Sequence, residues 1–265
     1  MKNLIRFLGI IAFVAIIMFS FASCGDGAEG NDTPGDLGGV ISKPPSSPGP
    51  GGVWVDGDGN LKISNAPIYM MNKSNPPKIV QAPVSLNTGV EIYSWVDEEE
   101  VLWPSTGDVV DGFLSDITIH LPPLSALAFP TEWDEIPMPS SFIKTGATTR
   151  AGFFTLFPED SEHLGLLYDP YVVKETGKHN EEYYRVYGKK EYMYFYSEGE
   201  IVISGSGTFT YDEELIKSTV DIKFTKGWNV VCMTEDETGD NWSYTMVSAS
   251  PTENLQWVEI GMMNW

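Results

Sequence analysis

Thr219-Val220-Asp221-Ile222-Lys223-Phe224-Thr225 decides the fold class. Its apolar residues recur at every second position. An extended strand puts Val220, Ile222 and Phe224 on one face and the polar residues on the other. A helix would scatter the same residues around its axis. Downstream, Lys226-Gly227 breaks the run before a second β-prone stretch, Trp228-Asn229-Val230-Val231-Cys232-Met233. Upstream lie residues 200–205 (EIVISG) and 207–211 (GTFTY), with Ser204-Gly205-Ser206-Gly207 read as a turn between strands.

The same pattern extends outward. Residues 183–187 (YYRVY) and 191–196 (EYMYFY) read as two strands joined by a turn at Gly188-Lys189-Lys190. Residues 152–157, 164–169, 242–247 and 255–260 are further β-prone runs. Toward the N-terminus, residues 53–55 and 61–63 flank Asp56-Gly57-Asp58-Gly59-Asn60, a hairpin signal, and Asp111-Gly112 sits between two apolar pairs in the same way. Residues 122–140 contain five prolines, which exclude a central strand or long helix. The expected fold is all-β, an antiparallel β-sandwich architecture, as one large or two small sandwich modules. The division places β modules at 53–121 and 141–265 and a Pro-rich connection at 122–140, with a short helical turn near Leu124–Phe129.

The beginning of the chain carries a different signal. Lys2 and Arg6 precede the apolar run 8–21 (LGIIAFVAIIMFSF), which has signal-peptide length and falls short of the ~20 residues that span a bilayer. The run ends in Phe21-Ala22-Ser23-Cys24, which resembles a bacterial lipobox with Phe in place of the usual Leu. The resemblance implies cleavage before Cys24 and acylation of its thiol. Two or more acyl chains hold stably to a leaflet where one does not. Residues 1–23 are then a lipoprotein signal peptide, and 24–52 a disordered tether. Half of residues 25–52 are Gly or Pro, so the segment buries too little apolar surface to offset its ordering entropy. Its ends lie roughly 30 Å apart on average.

The chain has 16 basic and 37 acidic residues, a formal net charge of −21, and removal of residues 1–23 takes only basic ones. Such a surface repels nucleic-acid phosphates and anionic headgroups. Cys24 and Cys232 are the only cysteines, so the mature chain has no internal disulfide. Cys232 reads as a buried small hydrophobe, since its neighbours Glu235, Asp236 and Glu237 oppose a thiolate.

Several constellations carry possible chemistry. Asp56, Asp58 and Asn60 offer oxygens to Ca²⁺ as an EF-hand loop opening does, but the twelfth position is Pro67 and the flanks read as strands, which favours a plain turn. Tyr192, Tyr194 and Tyr196 fall on one strand face, with Met193 and Phe195 on the other. They form either an exposed row of rings for a sugar or protein ligand or part of a strand covered on both faces. The acidic clusters 97–100, 212–214 and 235–237 read as solvated turns rather than a glycosidase pair. His120, His163 and His179 lack zinc or Ser-His-Asp spacing, and Ser206 misses the nucleophile-elbow pattern.

The order of features resembles a set of β-rich envelope lipoproteins: SDITIHLP at 115–122, the proline-rich crossover, GLLY at 165–168, a tyrosine-rich strand and TVDIKFTKGWNVV at 219–231. The resemblance implies a secreted β lipoprotein and carries over no active site. The expected role is therefore a non-enzymatic binding or structural one in the cell envelope, anchored through Cys24 to the outer membrane and facing a protein or glycan partner. The alternatives are a glycan-binding module or carbohydrate-active enzyme, and an accessory subunit of an uptake or secretion complex.

Overall fold

The computed structural model describes residues 50–264 except 97–98, 133–138, 160–161, 177–181, 212–213, 239–240, 252–253 and 261. Cys24 and nearly all of the tether lie outside the described residues.

The first part of the chain forms β1 (Val53–Val55), β2 (Leu61–Ile63), β3 (Ala66–Met71), β4 (Ile79–Gln81), β5 (Thr88–Val96), β6 (Glu99–Leu102), β7 (Ser105–Val110) and β8 (Phe113–Ile119). After the crossover come β9 (Ile143–Thr145), β10 (Ala151–Phe153), β11 (Thr155–Pro158), β12 (Leu164–Thr176), β13 (Glu182–Ser197) and β14 (Ile201–Tyr211). The last strands are β15 (Glu214–Phe224), β16 (Gly227–Thr238), β17 (Asn241–Ser248), β18 (Leu255–Glu259) and β19 (Met262–Asn264). Helical structure among the described residues is limited to short 3-10 turns, one of them at Leu124–Ala126 in the crossover. The fold is all-β, as the alternation in 219–225 requires: Val220, Ile222 and Phe224 are buried on β15 while Asp221 and Lys223 are exposed.

One run of hydrogen-bonded neighbours reads β9-β14-β15-β17-β16-β13-β12-β18-β3-β4. Two of its pairings, β15 with β17 and β3 with β18, are parallel, so the sheet is mixed rather than purely antiparallel. A second run, β1-β2-β8-β7-β5, covers it. β3 and β5 belong to both. Ala66 and Pro67 pair with β8 while Ile68 and Tyr69 pair with β18. Likewise Thr88 and Gly89 pair with β7 while Val90 to Tyr93 pair with β11.

The main core lies between these layers. Leu61, Ile63, Leu114, Ile117 and Ile119 meet Leu164, Leu166, Tyr194, Val230 and Trp257 there. Strands from both sides of 122–140 thus share one core and pair directly through β5–β11 and β3–β18. They do not form the two separate modules that the proline-rich stretch suggests. A second core contains Phe195 and Val231 together with Ile201, Ile203, Ile216, Val220, Ile222 and Phe224. Phe195 on β13 and Phe224 on β15 have ring centroids 5.1 Å apart. Three ladder steps separate those strands, a distance of about 14 Å in a flat sheet. The sheet therefore curls over on itself and covers β13 and β16 on both faces.

Two expected turns are strand interior. Gly188-Lys189-Lys190 lies within the unbroken β13, where a Cβ on Gly188 would come within 2.9 Å of Leu167 Cβ. The glycine permits close strand packing beside Asp169, which has positive φ, and does not reverse the chain. Ser204-Gly205-Ser206-Gly207 is likewise inside β14, paired with Ser218 to Asp221 of β15. Asp111-Gly112 does turn the chain: both residues have positive φ, as a two-residue hairpin loop requires.

Candidate functional site

The residues singled out from sequence are dispersed by the fold. Tyr192 and Tyr194 are buried at 4% and 3% exposure, and Tyr196 is half-buried against the same core. Phe154 stacks on Tyr194 and Trp228 meets Tyr196 edge-on. The three tyrosines do not form an exposed row, because the β2–β8–β7 layer and Trp228 cover the face on which they stand. Cys232 is buried on β16, opposite Tyr192.

The Asp56 loop is a closed hairpin. Asp56 Oδ1 accepts from the Asp58 and Asn60 amides, both at 2.9 Å, and Oδ2 accepts from Asn60 Nδ2 at 3.2 Å. Lys62 Nζ stands 3.6 Å from Oδ2 and donates to Thr118 Oγ1 at 2.7 Å. Burial pushes the Asp56 carboxyl up, but the Asn60 and Asp58 hydrogen bonds and the Lys62 charge outweigh it, and its pKa falls below the usual value. The turn and an ammonium thus engage both oxygens of Asp56, the first of the three residues proposed for Ca²⁺. Among the described residues no group of three or more His, Cys, Asp or Glu side chains is placed to hold a metal ion.

The titratable groups that the fold does bring together were not singled out by the pattern. Glu191 on β13 and Glu235 on β16 are both half-buried residues of neighbouring, paired strands. Glu235 Oε2 is sealed from solvent and has no hydrogen-bond partner among the described residues. Glu191 Oε1 lies beside Gly165 and Ile260, 3.6 Å from where a Gly165 Cβ would stand. Burial pushes Glu191 up to about 7; burial together with the charge of Glu191 pushes Glu235 up to about 8. Both carboxyls therefore hold their protons to a higher pH than ordinary glutamates do. Glu235 is not part of a solvated acidic turn. It continues the inward phase of Val231 and Met233 along β16.

An aromatic and ionic network adjoins the pair. Tyr171 on β12 is raised by burial and by the Glu235 charge, with Lys189 opposing. Its ring packs on Tyr187, centroids 5.9 Å apart. Tyr187 Oη donates to Glu175 Oε1, and burial with that bond raises the phenol strongly. Lys189 pairs with Asp169 at 2.5 Å. His163 stands apart from this network: burial lowers it to about 4, and its ring lies 5.8 Å from Phe157. His179 and residues 97–98 and 212–213 of the acidic clusters lie outside the described residues.

The cluster can hold and release protons within a partly buried strand interface. The alternation Val231-Cys232-Met233-Thr234-Glu235 and its counterpart in 191–195 contained the signal for it, since in each a glutamate shares the phase of the inward apolar residues. No protein-family model matches the chain, and neither the curated proteins nor the solved structures contain a match to it.

Proposed function

We propose that this chain is a lipid-anchored lipoprotein of the cell envelope whose β fold serves a non-enzymatic binding or structural role. The observation that carries the reading is Phe21-Ala22-Ser23-Cys24, placed after a basic start and an apolar run and before a Gly/Pro-rich spacer. The far end of that spacer supports it. Trp257 Nε1 donates to Gly51 O at 2.8 Å, and the Ser64 amide donates to Gly52 O at 3.0 Å. Gly51 and Gly52 both have positive φ, and a Cβ on Gly52 would come within 2.6 Å of Ser64 O. The chain thus enters the fold at a clamped point where the spacer composition ends. A tether fastened at its root transmits the position of the anchor to the domain.

The test is fractionation of cells producing the native chain and Cys24→Ser. The native protein partitions with membranes and, by mass spectrometry, begins at an acylated Cys24, whereas the variant is not acylated. An unacylated native N-terminus, or one that begins elsewhere, overturns the reading.

A carbohydrate-active enzyme is the second reading, favoured by one feature: two carboxyls of raised pKa, Glu191 and Glu235, beside Tyr171. Glycoside hydrolysis requires a carboxyl pair in which one member is held protonated and the other is ionised, open to substrate and water. The sealed Oε2 of Glu235 weighs against it. Hydrolysis of polysaccharide lost in Glu235→Gln, with the fold retained, would reverse the order of the two readings.

A further inference from the structure

Glu191 and Glu235 sit on neighbouring strands that end where three hairpins turn. β13 and β16 pair from Glu191↔Met233 to Ser197↔Gly227, and Glu235 lies one inward position beyond Met233. Past that point the ladders run on to Thr176/Glu182, Tyr211/Glu214 and Thr238/Asn241, all at the same end of the sheet. The main and second cores stop short of the two glutamates, and a separate small apolar cluster that includes Leu167, Val186 and Ile260 lies on the Glu191 side.

The groups that face the pair come from every neighbouring strand. From β12 comes Tyr171, whose phenol feels the Glu235 charge. From β13 come Glu191 and Lys189, and Lys189 is engaged by Asp169. From β17 comes Tyr244, the register partner of Glu235. On the Glu191 side, Leu167 pairs with it in register, and Gly165 and Ile260 flank its Oε1. Of these groups Lys189 is the only cation, and its charge is met by Asp169. Two ionised carboxylates here face each other, two phenols and apolar surface, and the one cation among these groups is already engaged by Asp169. A buried charge without a partner costs several kcal/mol, whereas a protonated carboxyl costs far less.

We propose that Glu191 and Glu235 form a proton-operated latch between β13 and β16: with their protons the strands stay closed, and without them mutual repulsion loosens the hairpin end of the sheet. The raised affinities of both carboxyls for protons place the transition near neutral to mildly alkaline pH. The lower layer of the fold, β1-β2-β8, contains neither group and stays closed.

The test is amide hydrogen exchange on the full chain in detergent at about pH 6 and about pH 9, corrected for the intrinsic pH dependence of exchange. Each unit of displaced pKa corresponds to a factor of ten in the opening equilibrium. Protection in 185–193 and 231–238 is expected to fall at least tenfold more than in 61–63 and 113–119. Glu191→Gln/Glu235→Gln, which cannot ionise, should abolish the difference. Equal protection at both pH values, or the same opening in the double variant, overturns the latch. The native protein supplies a readout should the variant fail to fold. The infrared carbonyl band of protonated carboxyls must be present at the lower pH and lost at the higher one. Its absence at the lower pH overturns the proposal.

Discussion

The ring of Phe142 lies directly over Gly205 of β14, where a Cβ would come within 2.4 Å of Phe142 Cδ1. The glycine is there because an aromatic ring from the end of the crossover seals the second core at this point. Gly205→Ala should therefore destabilise the protein by about 1–3 kcal/mol through overpacking. Phe142→Leu in the same chain should recover part of the loss. Urea denaturation of the four-member cycle reads the coupling, and independent effects would show that the ring does not govern the position.

The Asp56 turn gives a second expectation. Asp56→Ala removes acceptors for three hydrogen bonds and frees Lys62. The expected cost is about 1–2 kcal/mol. Added Ca²⁺ should leave the melting temperature of the native protein unchanged, because Lys62 already neutralises the carboxylate. A Ca²⁺-dependent rise in melting temperature that Asp56→Ala abolishes would restore the metal site.

Trp257 holds the chain at Gly51, where it enters the β fold. Trp257→Phe keeps the ring area in the core but removes the donor to Gly51 O. The loss should be about 0.5–1.5 kcal/mol, concentrated locally. Limited proteolysis should cut faster within 50–53 in the variant, while cleavage elsewhere in the β fold is unchanged.

His163 and the glutamate pair predict opposite limbs of a pH–stability curve. His163 is depressed to about 4, so the unfolded chain binds its proton first. Stability from this residue is present above the ordinary histidine value of about 6.5 and is lost as pH falls toward 4. Glu191 and Glu235 are raised, so the folded chain binds more protons than the unfolded one. Their contribution is full below the ordinary glutamate value of about 4.3 and is lost as pH rises through 7 to 8. Thermal melting across this range should show Glu235→Gln flattening the alkaline limb and His163→Gln flattening the acid one. A native curve with no loss on the alkaline side would contradict the burial of both carboxyls.

Local sequence went far for single strands and failed where a second layer was decisive. The alternation in 219–225 appears unchanged in β15, and Asp111-Gly112 turns the chain with both residues at positive φ. Gly188 and Gly205 look like turn residues in the same register of reasoning, yet both sit inside ladders because Leu167 and Phe142 approach them from elsewhere in the chain. Tyr192 and Tyr194 illustrate the same limit. An alternating aromatic strand has the same sequence whether its rings meet solvent or another sheet, and only the β2–β8 layer distinguishes the two.

The sequence by itself determined that the chain is all-β and strongly acidic, that it has only two cysteines, and that a basic start, an apolar run and a Gly/Pro-rich stretch precede the β-prone residues. These follow from period-two hydrophobicity, composition and residue chemistry, which act over a few neighbouring positions. Only the tertiary structure decided that both sides of the proline-rich crossover share one core, that the sheet curls until Phe195 meets Phe224, and that Glu191 and Glu235 stand on neighbouring paired strands. Each of those depends on contacts between residues far apart in the chain, and burial, which sets the proton affinity of a carboxyl, is a property of the assembled layers.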